Sequence, residues 1–516
     1  MMNFKFFTNN RVNLIIVGCL LIFIYSCQKG DNDSIKLKDP NFSYEKYKPT
    51  GDEIVISRSE YVNKLKGFWL AQCIANWTGL VTEMDKIGNI GEIKTGEFYT
   101  RDDWGKEDQP AYWGGTKDFS RTIDFVFEGD DGKWGADDDT DIEYIYQHLL
   151  YTNKVSKLSG NQIRDGWLKH IKNEEENYLW VSNQRAFDLM KKGVLPPETS
   201  SPNNNEFYEM IDAQLTTEIF GLYSPNYPDI GLRMAYMPIR TVARENAAWI
   251  SEFYIIMHSL ASLETDHKTI KDKLFWMSEK ARYVLPNSSY SAKMYDYVKS
   301  KYESGLPWEI TRDSLNYKYQ INNEDGYNWS KIETNCNGCY AAGINFGASI
   351  ISLFYGEGNF KETIKIATLC GWDSDNPAST WAGLLGFIYG KKEIVKMFDE
   401  ELSNRYNIGR TRIGFENEID NFESMAEKGL KIALIERNSQ PYPHPRAIAL
   451  NGYSLSIIKH LLDDQWENFE FTTAVEVGYV LSKDKMDEPF GKMQPPVIDG
   501  KVLDLDNYGF LNWFNQ

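Results

Sequence analysis

No basic cluster occurs anywhere in this sequence. Its 56 Lys and Arg face 74 Asp and Glu, a formal net charge of −18. Nucleic acid and anionic membrane surfaces need concentrated positive charge, so neither is an expected partner. Cysteine and histidine are scarce too, with six of each. A structural zinc site needs several such ligands at regular spacing. The lone Cys336-Asn-Gly-Cys339 pair has no second pair and no spaced histidines to complete one. It is read as two buried thiols, with a local disulfide as the alternative outside the cytoplasm. A redox motif is disfavoured because no βαβ pattern surrounds the pair. The chain also lacks GxSxG, HExxH and GxxxxGK, which removes the common signals for serine hydrolases, zinc peptidases and phosphate loops. No internal repeat is evident, and no run after residue 26 could span a membrane.

What is present starts with a targeting segment. Lys5 and Arg11 precede a mostly apolar stretch from Val12 to Tyr25, too short for a comfortable span. The ending Ile24-Tyr25-Ser26-Cys27 resembles a bacterial lipoprotein signal, with Cys27 as the lipidated residue. A plain secretion signal or uncleaved anchor is the alternative. Residues 27–50 are polar and read as a tether. The protein is therefore expected in the cell envelope, outside the cytoplasm, at the periplasmic or outer-membrane surface. Its membrane contact would be through the lipid alone.

Two short acidic loops carry most of the chemistry. The first is Asp137-Asp138-Asp139 in GADDDTDIEY, and the second is Asp373-Ser374-Asp375-Asn376 in CGWDSDNPAST. Each precedes apolar residues at helical spacing, Ile142, Ile145 and Leu149 in one case and Trp381, Leu384, Leu385 and Ile388 in the other. Helix N-termini favour ionised carboxylates. In an extended loop, residues two apart point the same way, so Asp373 and Asp375 can reach one centre while Ser374 turns aside. Asp138 and Asp139 diverge, which suits two neighbouring cations. Oxygen-only ligands favour magnesium, calcium or manganese over zinc. The competing reading is a pair of solvated helix caps.

Residues 51–84, 140–290 and 335–435 have mainly helical texture. Residues 85–135 are rich in Gly, Asp, Trp and Tyr, with little helical period. This loop region leads into the first acidic motif and is expected to rim a substrate cleft, Trp134 included, or else to be pinned by its own aromatics. The texture changes near residue 437, where alternating and β-branched residues suggest strands. The expected division is a signal over 1–26, a tether over 27–50, a helical domain over 51–436 and a small mixed extension over 437–516.

GADDDTDIEY together with GWDSDNPASTWAGLLGFIYG resembles the two metal-binding signatures of the ADP-ribosylglycohydrolase family, of the dinitrogenase reductase-activating glycohydrolase type. GFWLAQCIANWTGLVTE at 67–83 is similar to the family's opening helix. Residues 212–235 are similar to a segment of the larger bacterial members, the lipoprotein branch, and 353–367 resembles the family's helix pair before the second signature; all five pieces fall in the family's order. The resemblance implies an all-helical bundle around a binuclear magnesium, sometimes manganese, centre. By position, its ligands would be Asp137, Asp138, Asp139, Asp373, Asp375 and Asn376. Glu83 matches a mobile glutamate beside the substrate ribose. Asp137 stands where the family usually has Ser or Thr, Asn376 where it often has Thr, Ser or Cys, and Ala71-Gln72 where a Gly-Asp pair is usual.

The implied activity is metal-dependent hydrolysis of an ADP-ribosyl or related ribosyl or furanosyl bond, by a monomer acting on a small-molecule or glycan substrate. Glu83, Asp139 and Asp375 are the expected catalytic residues, with either aspartate taking the proton of the attacking water. Trp134 and Asn345 are the expected substrate contacts. An exported glycan-degrading glycosidase and a non-catalytic sugar-binding lipoprotein are the rivals.

Overall fold

The computed structural model describes residues 53–55 and 58–439, apart from 56–57, 91–92, 109–119, 128–131, 174, 263–266, 332–335 and 337, together with 480–482, 497–498 and 501–502. Cys27, the signal, the tether and most of the C-terminal extension lie outside these residues. The described chain is mainly helical, as expected for an ADP-ribosylglycohydrolase-like all-helical bundle. Its strands are short antiparallel pairs, such as Arg405–Asn407 with Ile419–Asn421. Val480–Ser482, from the extension, pairs with Glu53–Val55. Among the described residues no helix is long and apolar enough to cross a membrane.

Five helices position the site: α1 (Arg58–Gly79), α2 (Asp138–Asn153), α3 (Ala342–Gly356), α4 (Phe360–Cys370) and α5 (Asp375–Tyr389). The pair α1 and α5 forms the central packing. Small residues make that approach close. A Cβ on Gly67 would stand 2.1 Å from the Gly386 carbonyl oxygen, and one on Gly386 would meet Ala71 Cβ at 2.4 Å. At the other end of the contact, a Cβ on Gly79 would lie 2.2 Å from Asp375 Cα. The first turn of α5 is thus pressed against the last turn of α1. Phe68, Leu70, Ile74, Trp381 and Leu384 fill the surrounding core.

Helix α1 stops at Gly79, short of the 84 expected from its texture. Thr82 Oγ1 donates to the Thr368 carbonyl (2.7 Å), and Ser374 Oγ donates to the Gly79 carbonyl (3.0 Å). Met84, at φ 56°, donates its N–H to the Trp372 carbonyl (2.6 Å). These bonds turn the chain out of the helix and tie it to the loop before α5. Glu83 therefore sits in a turn facing that loop.

Candidate metal centre

Helix α2 begins at Asp138, with Asp137 in the N-cap position, yet the Asp137 side chain makes no cap hydrogen bond. Its Oδ1 accepts from Asn76 Nδ2 of α1 instead, at 2.8 Å. The same amide lies 3.4 Å from Asp139 Oδ2 and 3.0 Å from Asp375 Oδ2. Helix α5 begins at Asp375, and its N-cap Ser374 likewise makes no cap bond. Ser374 Oγ turns inward to Gly79 and lies 2.9 Å from Thr82 Oγ1, which leaves the flanking Asp373 and Asp375 carboxylates to the site. Solvated helix caps would be exposed and bonded to their own helices. Asp138, Asp139, Asp373 and Asp375 are all buried.

The loops meet. Glu83, Asp373 and Asp375 offer carboxylate oxygens all within 4.8 Å of one another, and so do Asp137, Asp139 and Asp375. Asp375 belongs to both groups, so the arrangement is two adjacent three-carboxylate cages with a shared corner. Glu83 and Asp137 are the partly exposed members. Glu83, expected beside the substrate, thus also stands within reach of a cation. Asp138 is in neither group. Its carboxylate is 3.5 Å from Asn183 Nδ2 and feels Asp212 and Arg412 as well as Asp137. Asn376 Oδ1 lies 3.3 Å from Gln214 Nε2.

Helix dipoles at both N-termini favour ionised carboxylates, but burial outweighs them here. Desolvation, and then neighbouring negative charge, hold all four buried aspartates well above the usual carboxylate range. The leading neighbour is Asp137 for Asp138 and Asp139, and Glu83 for Asp373 and Asp375. Arg412 pulls Asp138 the other way by less. Such a cluster is ionised together only when positive charge enters it. Asp375 Oδ1 is buried with no hydrogen-bond partner, so acceptor capacity is left over at the corner the two cages share. The donor set is all oxygen. These residues fit hard divalent cations.

Two expected substrate contacts are placed differently. Trp134 is fully buried. Its ring packs on Trp77 at 5.7 Å between centroids, and its Nε1 donates to the Ser403 carbonyl at 3.1 Å. It is a wall, pinned by aromatics, with no face left for a sugar. Asn345 of α3 is buried with both ends of its amide committed to backbone. Nδ2 donates to the carbonyls of Cys339 (2.7 Å) and Ala341 (3.1 Å), and Oδ1 accepts from Asp373 N (3.2 Å). It holds the second loop and does not face substrate. The favoured reading of Cys336 and Cys339 as thiols is also corrected: the two form a disulfide.

Sequence reasoning missed Asn76. It fixed on Ala71-Gln72, but Gln72 lies deeper and donates to Glu143 Oε2 at 3.0 Å. Gln72 and Asn76 are four apart on an otherwise apolar helix face, and that was the available signal. It also missed Tyr340, whose hydroxyl is pushed upward by burial and then by Glu83, Asp373 and Asp138. Its ring lies nearly parallel (17°) to that of the exposed Trp180, at 6.4 Å between centroids.

No curated protein matches the chain significantly. One solved structure, described as an ADP-ribosylglycohydrolase-related protein complex, aligns with a TM-score of 0.38 at 14% identity, covering 73% of this chain and 99% of that one. The family model for ADP-ribosylglycohydrolase matches residues 57–431, a span that holds α1 to α5, both acidic loops and Glu83. On that match, the chain belongs to the ADP-ribosylglycohydrolase family and is a hydrolase of glycosyl bonds.

Proposed function

We propose that this protein is a magnesium- or manganese-dependent glycohydrolase that cleaves an ADP-ribosyl or related ribosyl or furanosyl bond outside the cytoplasm. The observation that carries the reading is the pair of carboxylate cages sharing Asp375. Glu83, Asp373 and Asp375 would hold one cation and Asp137, Asp139 and Asp375 the other, with Asp138 and Asn376 completing the surroundings. Bound there, two cations supply Lewis acidity and positive charge to the reaction.

The chain's own groups do the rest. Asp139 or Asp375, both buried carboxylates of the cages, accepts the proton of the attacking water. The remaining carboxylates stabilise the positive charge that develops at the anomeric carbon as the glycosidic bond breaks. Glu83, partly exposed at the mouth, accepts hydrogen bonds from the ribose hydroxyls and orients the ring. Trp180 and Tyr340 offer aromatic faces to the group attached to that ribose. The acidic surface and the absence of a basic cluster support a small-molecule or glycan substrate and not a nucleic acid.

The Cys336–Cys339 disulfide supports a site of action outside the cytoplasm, where such bonds persist. It agrees with the lipoprotein-like ending at Cys27. Replacing Cys27 with Ala is expected to release the protein from the membrane fraction or leave it unprocessed. Unchanged fractionation with unchanged mature mass would remove the lipid anchor from this reading.

The deciding experiment is a hydrolysis screen with magnesium or manganese across ADP-ribosyl conjugates and simple pentofuranosides. Turnover of at least one class is expected, lost in chelator and restored by the metal. Full activity in chelator would overturn the metal mechanism. Binding of a sugar without turnover of any glycoside would favour a sugar-capturing lipoprotein.

A further inference from the structure

We infer that the Cys336–Cys339 disulfide and Asn345 form a positioning device for Asp373, so that the metal affinity of the site depends on the oxidised state of that cysteine pair. The inference rests on the metal-dependent reading above and adds a redox condition to it. Both cysteines are fully buried, with Cα atoms 5.4 Å apart, and neither belongs to a carboxylate cage. They act through the backbone between them and the site.

The connection has three links. The disulfide closes a four-residue ring that ends at Cys339. The Cys339 carbonyl accepts from Asn345 Nδ2 at 2.7 Å, and Asn345 Oδ1 accepts from the Asp373 N–H at 3.2 Å. The orientation of this amide is not arbitrary. Nδ2 faces two carbonyls, Cys339 and Ala341, while Oδ1 faces an N–H, so a flipped amide would oppose acceptor to acceptor and donor to donor. Asn345 is fully buried, away from bulk solvent.

The cysteine ring is itself held. A Cβ on Gly338, at φ +77°, would lie 2.2 Å from the Trp329 carbonyl oxygen. The Tyr340 carbonyl accepts from Ile211 N at 2.9 Å, and Met210 bridges Ala341. The segment carrying Cys339 is thus fixed at both sides, and its carbonyl is presented to Asn345 in one direction. Those contacts hold the neighbours Gly338 and Tyr340, and the disulfide adds the restraint at Cys339 itself, so opening the ring lets the Cys339 carbonyl turn between two held neighbours. Asn345 then keeps only Ala341 to orient it, and the Asp373 N–H loses a fixed acceptor. Outer-shell partners of this kind are worth ~10–100-fold in metal affinity because they hold the ligand in place.

The redox step is a thiol–disulfide exchange with an external dithiol, which reaches the buried pair when the segment opens locally. Each cysteine sulfur gains one electron and one proton, and the dithiol closes to its own cyclic disulfide.

The test is calorimetric titration of manganese into the full-length metal-free protein in three forms: oxidised, reduced with dithiothreitol and then freed of it, and the double variant Cys336→Ser/Cys339→Ser. Mass shift with a maleimide counts the thiols released. The reduced protein and the double variant are expected to bind manganese about tenfold or more weakly, with unchanged helical circular dichroism. Reoxidation should restore affinity. Asn345→Ser should give the same loss with the disulfide intact, and the single variant Cys336→Ala, which opens the ring at the cost of one substitution, carries the redox test if the double variant does not fold and the disulfide resists reduction. Wild-type affinity in the reduced protein, in Cys336→Ala or in Asn345→Ser overturns the inference, as does a lowered melting temperature with affinity unchanged. Failure of the oxidised wild type to bind manganese at all would instead overturn the metal-dependent reading beneath it.

Discussion

Asp375 is the residue on which both cages depend. One oxygen accepts from Asn76 and the other is buried without a partner. Asp375→Asn keeps the size and one oxygen but removes the charge that two cations would share. Its expected loss of manganese affinity is at least the ~10–100-fold typical of losing an outer-shell partner, with turnover abolished and circular dichroism unchanged. Glu83→Gln tests the asymmetry between corner and edge. Glu83 serves one cage only and is partly exposed, so Gln there should weaken metal binding less than Asp375→Asn does while still slowing hydrolysis. Calorimetry and initial rates on both variants check the order; equal losses would deny Asp375 its shared role.

At the scale of elements, the site exists because α1 and α5 approach closely enough for Gly79 to touch Asp375. Gly79→Ala must push the first turn of α5 away or bend α1. Overpacking of this kind costs roughly 1–3 kcal/mol, and here the displaced residue is the shared ligand itself. Gly386→Ala meets Ala71 and the Gly67 carbonyl, on the same seam but remote from the carboxylates. Both variants should lower the unfolding midpoint, measured by denaturant titration. Only Gly79→Ala should also lose metal affinity disproportionately. A parallel loss in the two would mean that the seam acts on stability alone. The existence of the two helices was legible in the sequence, which put the acidic residues in loops just ahead of them; the structure starts the helices a little earlier, at Asp138 and Asp375, so that several of the acidic residues fall in the first turns. The end of α1 was not legible, because it is set by bonds from Thr82 and Ser374 across to residues distant in the chain.

For the whole molecule, the buried aspartates link stability to pH. Their folded-state pKa values are raised above the unfolded range near ~4. With a raised folded pKa, the native state binds more protons than the unfolded state in the window between the two values. The contribution to stability is then present below the unfolded pKa and is lost as pH rises towards the folded pKa. The metal-free protein should therefore melt at progressively lower temperature from about pH 4 upward, as far as these groups decide it. Cations compete with those protons, so the stabilisation by magnesium or manganese should grow over the same range. Thermal melts with and without metal across that range test this; metal stabilisation that shrinks with rising pH would contradict a carboxylate-held cation.

Taken alone, the sequence determined the helical class, the two helices that follow acidic residues and the oxygen-only chemistry, because each is written in residues close together in the chain. Periodicity, local charge and motif order need no knowledge of what lies opposite. Tertiary structure alone decided which side chains share a site. Asn76 is polar in any reading, but only the contact of α1 with α2 and α5 turns its amide towards three carboxylates. Trp134 looked like a free stacking face until Trp77 and the Ser403 carbonyl covered it. Asn345 looked like a substrate contact until the Cys339 carbonyl and the Asp373 N–H took both of its ends. Exposure and hydrogen-bond partners are properties of pairs of segments, and the pairing of residues some 300 positions apart is fixed by the packing of the core.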